Sequence, residues 1–154
     1  MKRIILLLTI IISCTYCMAQ YVDLGLPSGT KWKTSNEPGF YNLLDAMQRF
    51  PSNLPTAYQF KELLNECNWT WTGSGYKVVG PNGNYIYFPA EGGRRVDGEI
   101  IDYIKIGCYW SKTTKTIEEA YCLLLFPDSQ QLNTFDYDIG FSVRLVNKSL
   151  IITH

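Results

Sequence analysis

The side chains able to do chemistry are few, and their placement argues against most enzyme classes. The only histidine, His154, is the final residue of the 154-residue chain. Histidine usually activates serine and cysteine nucleophiles, and it contributes to many catalytic metal sites. The sequence therefore predicts a protein without catalysis, without a cofactor and without a metal site.

Two groups of carboxylates remain as alternatives. Asp136 and Asp138 alternate near a predicted strand end and could share a cation, although a solvated turn is the simpler interpretation. Glu118 and Glu119 are adjacent and are predicted at a hairpin tip. A hydrolase that uses two carboxylates roughly 5 to 10 Å apart is thus a remote alternative, because nothing in the spacing marks such a pair.

The first nineteen residues have the order of regions expected of a secretion signal. Lys2 and Arg3 precede the stretch 4–12, which leads to small residues ending in Ala19. That stretch is much shorter than the roughly 20 residues that span a bilayer as a helix. We predict cleavage after Ala19; the alternative is a lipobox that would place lipid on Cys14.

Export divides the chain into a signal peptide (1–19), one folded domain (20–148) and a C-terminal tail (149–154), with no transmembrane span in the mature chain. The mature protein is expected outside the cytoplasm, secreted or at the cell surface or in the periplasm. Its 12 basic and 14 acidic residues give a net charge of −2. Such a charge provides no electrostatic footprint for nucleic acid.

Three cysteines remain in the mature chain, and an oxidising compartment allows at most one bridge among them. Cys108 and Cys122 flank a predicted hairpin in a register that sets Trp110 opposite Ala120, so the two could face each other as a disulfide. The alternative is that Cys67, Cys108 and Cys122 are all small buried apolar residues.

The mature sequence predicts short strands separated by turns, with two helices before residue 70. Leu43, Leu44, Met47 and Phe50 have helical spacing ahead of Pro51, and Thr56 opens a second helix with a capping box. An Asn-Gly pair at 82–83 predicts a hairpin turn with positive φ at both positions. Further strands are predicted at 21–26, 108–112, 120–126 and 141–146, with loops at 90–106 and 127–139.

Eight ordered blocks carry a resemblance to a known family. They are YVDLGLPSGTKW (21–32), LPT (54–56), NWTWT (68–72), GYKV (75–78), GPNGN (80–84), FPA (88–90), YWS (109–111) and SVR (142–144). Together they are similar to the Fibrobacter succinogenes major paralogous domain. The resemblance implies a compact C-type-lectin-like α+β fold with two helices and irregular antiparallel sheets, on a scaffold related to formylglycine-generating enzymes.

The chain departs from that family in two places. Only about twenty residues separate Trp32 from Leu54, where the family carries a longer insert, and Glu91-Gly92-Gly93-Arg94 replaces its Gly-Tyr-Arg. The cysteine pair needed for formylglycine generation is also missing beside the SVR block. The scaffold alone does not transfer function.

These observations predict a recognition module that binds an extracellular glycan or an envelope protein through the loops 90–106 and 127–139. Arg94, Arg95 and Tyr103 in the first loop are the candidate ligand contacts. Four tryptophans (Trp32, Trp69, Trp71 and Trp110) are assigned to the core. The alternative is a structural accessory protein of the cell envelope, with the apolar segment 100–104 packed against a partner.

Overall fold

A computed structural model describes residues 20–101 and 105–148. The predictions for the signal peptide, Cys14, Tyr103 and the C-terminal tail lie outside these residues. Within them the chain is an α+β protein with two helices and several small antiparallel sheets, which confirms the predicted fold class. None of its described helices is long and apolar enough to cross a membrane.

Eleven strands and two helices make up the described fold. In chain order they are β1 (Tyr21–Asp23), β2 (Thr30–Lys33), α1 (Leu43–Arg49), α2 (Ala57–Glu66), β3 (Asn68–Trp71), β4 (Gly75–Val79), β5 (Tyr85–Pro89), β6 (Gly93–Arg94), β7 (Ile100–Ile101), β8 (Gly107–Thr114), β9 (Glu119–Phe126), β10 (Ser129–Asp136) and β11 (Val146–Lys148).

The strands form three three-stranded sheets and one short hairpin. The sheet orders are β1-β2-β11, β3-β4-β5 and β10-β9-β8, and β6 pairs with β7. All of these pairs are antiparallel. The first sheet joins the two ends of the domain, because β11 pairs with β2.

Both helices begin at side-chain caps, of which the sequence predicts the second. The Asn42 side chain accepts the Asp45 N–H at the start of α1, and Thr56 forms a complete capping box with Gln59 at α2. Phe50 caps the end of α1 directly before Pro51. Because each cap satisfies N–H groups that a helix leaves unpaired, the local sequence defines where these helices start.

Two predicted strands are shorter than expected. The predicted strand 21–26 ends at Asp23, because Gly25 adopts a φ of +74° and turns the chain. The predicted strand 141–146 is reduced to isolated bridges at Phe141 and Ser142, followed by β11.

The hairpin between β4 and β5 forms as predicted, but its turn differs. Gly83 has a φ of +86°, whereas Asn82 is not among the described residues with positive φ. The Gly83 N–H donates to the Gly80 carbonyl, and the Gly80 N–H donates to the Asn84 carbonyl. This pattern fits a three-residue loop with one left-handed position, rather than the two-residue turn that the Asn-Gly pair predicts.

The core consists of two clusters of buried side chains. One lies around Trp32 and Phe60, whose ring centroids are 5.2 Å apart. The other lies around Trp110 and Phe141, at 4.7 Å. Trp32 and Trp110 are fully buried, and the partly buried Trp69 and Trp71 pack against the first cluster. The prediction that the four tryptophans serve packing is confirmed.

Candidate functional site

The two predicted binding loops have more regular structure than the sequence indicates. The segment 127–139 is mostly β10, which pairs with β9 along its whole length, so the prediction of a loop there is wrong. The segment 90–106 contains the β6-β7 hairpin. The irregular parts of the two segments include the turn 95–98 and the stretch 137–139.

The predicted contact residues in the first segment differ in their roles. Arg94 is half-buried; its N–H donates to the Gly140 carbonyl at 2.7 Å, and its Nη2 donates to the Phe40 carbonyl at 3.3 Å. Arg95 is exposed at the start of the turn. The structure thus uses Arg94 inside the fold, while Arg95 is open to solvent and Tyr103 lies outside the described residues.

Cys108 and Cys122 are free buried thiols, as is Cys67. Cys108 pairs with Leu124, and Trp110 pairs with Cys122 rather than with Ala120, so the predicted register is wrong. The two cysteines are therefore diagonal neighbours, typically about 7–8 Å apart at Cα, whereas disulfides need about 4.4–6.8 Å. Burial raises the pKa of Cys108 to about 12 and also raises that of Cys122, so both thiols stay protonated at neutral pH.

Three exposed apolar side chains from separate parts of the chain border one concave surface. Leu44 of α1 is 61 % exposed, Val96 of the Arg95–Gly98 turn 72 %, and Ile117 of the β8-β9 hairpin 90 %. They enclose a cavity of about 420 Å³ together with Glu118, Asp136, Tyr137 and Asp138. We call this the Leu44–Val96–Ile117 surface.

Tyr137 holds two walls of this surface together. Its N–H donates to the Glu118 carbonyl at 3.0 Å, and its hydroxyl donates to the Thr116 carbonyl at 2.9 Å. Its own carbonyl accepts the Leu43 N–H at 2.9 Å. One residue therefore fixes the β8-β9 hairpin and the start of α1 relative to each other.

The third wall of the surface is the turn that carries Val96. It is attached to the rest of the fold by the backbone hydrogen bonds between Arg94 and Gly140. Each donates its N–H to the carbonyl of the other at 2.7 Å. The Arg95–Gly98 turn is closed by the Gly98 N–H, which donates to the Arg95 carbonyl at 2.9 Å, and Gly98 has a φ of +90°. Val96 is thus displayed on a short ordered turn rather than on a long free loop.

The polar groups that border the surface carry one sign of charge. Glu118, Asp136 and Asp138 are its only charged lining residues in the described part of the chain. Asp136 ends β10 and Asp138 lies in the turn that follows, and both are exposed as the solvated-turn interpretation expects, while they line the surface together with Glu118. Within residues 20–101 and 105–148, no group of three or more His, Cys, Asp or Glu side chains is arranged to hold a metal ion.

An apolar cavity of about 190 Å³ lies on the other side of the segment 135–139. Phe135, Ile139, Cys108 and Ile101 are among its lining residues. The two described isoleucines of the predicted apolar segment 100–104 therefore differ in environment. Ile101 lines this cavity, whereas Ile100 is 54 % exposed to solvent. The remaining residues of the segment lie outside the described part.

A polar cleft of about 320 Å³ elsewhere is lined by Arg144 and Asn36, whose polar groups are engaged in hydrogen bonds within the fold. Arg144 is fully buried and donates to the Asn36 Oδ1, the Lys33 carbonyl and the Tyr87 carbonyl at 2.8, 3.2 and 2.7 Å. Asn36 in turn donates to the Tyr109 hydroxyl at 3.1 Å. Burial lowers the pKa of Arg144. This network joins β2 to β5 and is structural.

Sequence reasoning missed Leu44, Val96 and Ile117 as surface residues. Ile117 gave a usable signal, since a branched apolar residue is unusual at the tip of a polar hairpin.

A comparison of the chain with protein-family models, curated proteins and solved structures finds no match.

Proposed function

We propose that the chain is an exported recognition module without catalysis, which binds a protein partner through the Leu44–Val96–Ile117 surface. The observation that carries the proposal is the exposure of three large apolar side chains around one ordered concavity. These side chains line one cavity together with polar groups, and exposed apolar groups rimmed by polar ones are typical of interaction sites. A glycan is less suited to this surface, because its apolar groups offer few hydrogen bonds to sugar hydroxyls.

The acidic rim defines the chemistry of the partner. Glu118, Asp136 and Asp138 favour a protein segment whose apolar side chains are flanked by lysine or arginine. A second copy of this chain is disfavoured, since a symmetric contact would bring the same carboxylates together. Fixed walls also reduce the entropy lost when the partner binds.

The proposal of export rests on the order of regions in residues 1–19. The family resemblance rests on the eight sequence blocks. A permanent role in an envelope assembly is the second candidate, favoured by the exposure of Ile100 in the β6-β7 hairpin. Both candidates require that an apolar surface be covered by a partner.

The test uses a fluorescent peptide that alternates leucine and lysine, with a leucine and glutamate peptide of equal length as its counterpart. We expect the basic peptide to bind at least ten-fold more tightly in an anisotropy titration at low salt. Ile117→Ser and Val96→Ser should each weaken it, whereas Tyr85→Ser, which removes an exposed ring elsewhere, should not. Equal binding of both peptides, or equal binding by all variants, would refute the proposal.

A further inference from the structure

A second cleft, of about 280 Å³, lies where β2, β8 and β11 meet the start of α2. It shares no lining residue with the Leu44–Val96–Ile117 surface. We infer that this cleft binds a sugar that carries one anionic group, a carboxylate or a phosphate. The inference goes beyond the proposed protein recognition and does not depend on it.

The charge of the cleft points to an anion. Lys112 and Lys148 are its only charged lining residues in the part of the chain that is described. The one ion pair among those residues joins Lys33 to Glu37, so neither cleft lysine is neutralised by a carboxylate there. Two unpaired ammonium groups on one concavity attract an anionic ligand, even though the mature domain has a net charge of −2.

The hydroxyl and amide groups beside the lysines are already oriented. The Ser28 Oγ lies 2.6 Å from the Glu62 Oε2 and 2.7 Å from the Thr30 Oγ1, and the Gln59 Nε2 donates to that same Thr30 oxygen at 3.3 Å. Glu62 is buried behind Ser28 and does not line the cleft. Ordered neutral groups of this kind suit the hydroxyls of a sugar, and they add specificity that the lysines alone lack.

An aromatic ring completes the site. Tyr58, in the first turn of α2, lines the cleft with 70 % of its surface exposed. An exposed tyrosine has an apolar ring and a polar hydroxyl, which suits contact with a ligand that has both apolar and polar faces. A bare inorganic ion would not use this ring, so the combination favours a sugar over a free anion.

The walls of the cleft are held by hydrogen bonds between elements. The Lys112 N–H donates to the Pro55 carbonyl at 2.8 Å, and the Ala57 N–H donates to the Thr113 Oγ1 at 2.9 Å. On the other side, the Val146 N–H donates to the Asn53 carbonyl at 2.8 Å. The cleft is therefore present before a ligand arrives, which lowers the cost of binding.

The experiment is an NMR titration of the purified protein with four probes: glucuronate, glucose 6-phosphate, glucose and inorganic phosphate. We expect the two acidic sugars to shift the amides of Ser28, Tyr58, Lys112 and Lys148. Glucose and inorganic phosphate should each bind at least ten-fold more weakly. The comparison of glucuronate with glucose 6-phosphate then shows whether the cleft prefers a carboxylate or a phosphate.

Lys112→Gln and Lys148→Gln should each weaken both acidic sugars at least five-fold. Lys77→Gln is the matched control, since this lysine lies over the Tyr85 ring on another face, 4.3 Å from its centroid. Three results would each overturn the inference: glucose binding as well as glucuronate, inorganic phosphate binding as well as glucose 6-phosphate, and shifts that are absent or unchanged in the two cleft variants.

Discussion

The Tyr137 hydroxyl donates to the Thr116 carbonyl over 2.9 Å and so anchors the hairpin that displays Ile117. Tyr137→Phe removes only this bond. A hydrogen bond of this kind contributes about 0.5–1.5 kcal/mol. We therefore expect the Glu118 and Glu119 amides, which donate to the Thr116 Oγ1, to exchange with deuterium about two- to ten-fold faster.

Tyr85→Phe provides the control for that measurement, because Tyr85 is an exposed tyrosine on β5. Unchanged exchange in Tyr137→Phe would mean that the hairpin is ordered without this bond. The proposed role of the Tyr137 hydroxyl in presenting Ile117 would then be refuted.

Arg144 is expected to be essential to stability. Its guanidinium makes three hydrogen bonds and lies 4.5 Å from the Phe88 ring centroid. Lysine has neither the planar fork nor the same reach, so Arg144→Lys leaves buried acceptors unpaired. We expect a loss of about 3 kcal/mol in the free energy of unfolding, measured with urea.

The exposed Arg95 offers the matched comparison, and Arg95→Lys should change stability by less than about 0.5 kcal/mol. A similar small effect for Arg144→Lys would contradict the role of the Arg144 network.

Gly80 is required for close approach of two backbones. A Cβ at this position would lie 2.1 Å from the Leu24 carbonyl oxygen, whereas a Cβ on Gly83 would meet nothing within 4 Å. Overpacking costs about 1–3 kcal/mol, and a left-handed alanine about 1–2 kcal/mol. Gly80→Ala should therefore lower the melting temperature more than Gly83→Ala. The reverse order would refute the close contact.

Because its thiols are buried, the protein is expected to lose stability as the pH becomes alkaline. Burial raises the pKa of Cys67 to about 11, with the charges of Glu62 and Glu66 contributing, and that of Cys108 to about 12, from an ordinary value of 9.0. Burial raises the pKa of Tyr109 as well. Above pH 9 the unfolded thiols lose protons that the folded ones retain, so stability is complete below about pH 9 and declines as the pH rises toward 12.

We expect this decline in melting curves recorded from pH 7 to pH 11. Cys67→Ala should make it shallower, because one raised pKa is removed. A melting temperature that stays constant to pH 11 would contradict the burial of these groups.

Thiol labelling tests the state of the cysteines. The mature chain should show three thiols after unfolding, and all three should react slowly with a thiol reagent while folded, since Cys67, Cys108 and Cys122 are buried. A single reactive thiol after unfolding without reductant would instead indicate a disulfide.

Local signals account for the parts of the fold that the sequence predicts. The capping box at Thr56, the apolar residues from Leu43 to Phe50 and the hairpin at 80–84 each depend on neighbours in the chain. β10 was not predicted, because its start, Ser129-Gln130-Gln131, is polar and lacks strong strand formers. Its order comes from pairing with β9, a tertiary effect that outweighs intrinsic propensity.

The binding surface was only partly predictable for a related reason. The segments 90–106 and 127–139 both contribute to it, but Leu44 and Ile117 come from regions that the sequence assigns to a helix and to a hairpin tip. These residues meet through hydrogen bonds of Tyr137 and Gly140, which no local pattern reveals. The burial of Arg144 likewise depends on strands that are distant in sequence.

Site-specific photo-cross-linking in the source cells tests the central claim most directly. A benzophenone amino acid in place of Ile117 should give a covalent adduct with a partner protein, at a segment where apolar residues adjoin lysine or arginine. The same group in place of Tyr85 should give none. Absence of an adduct at 117, equal adducts at both positions, or an adduct with a second copy of this chain would contradict the account.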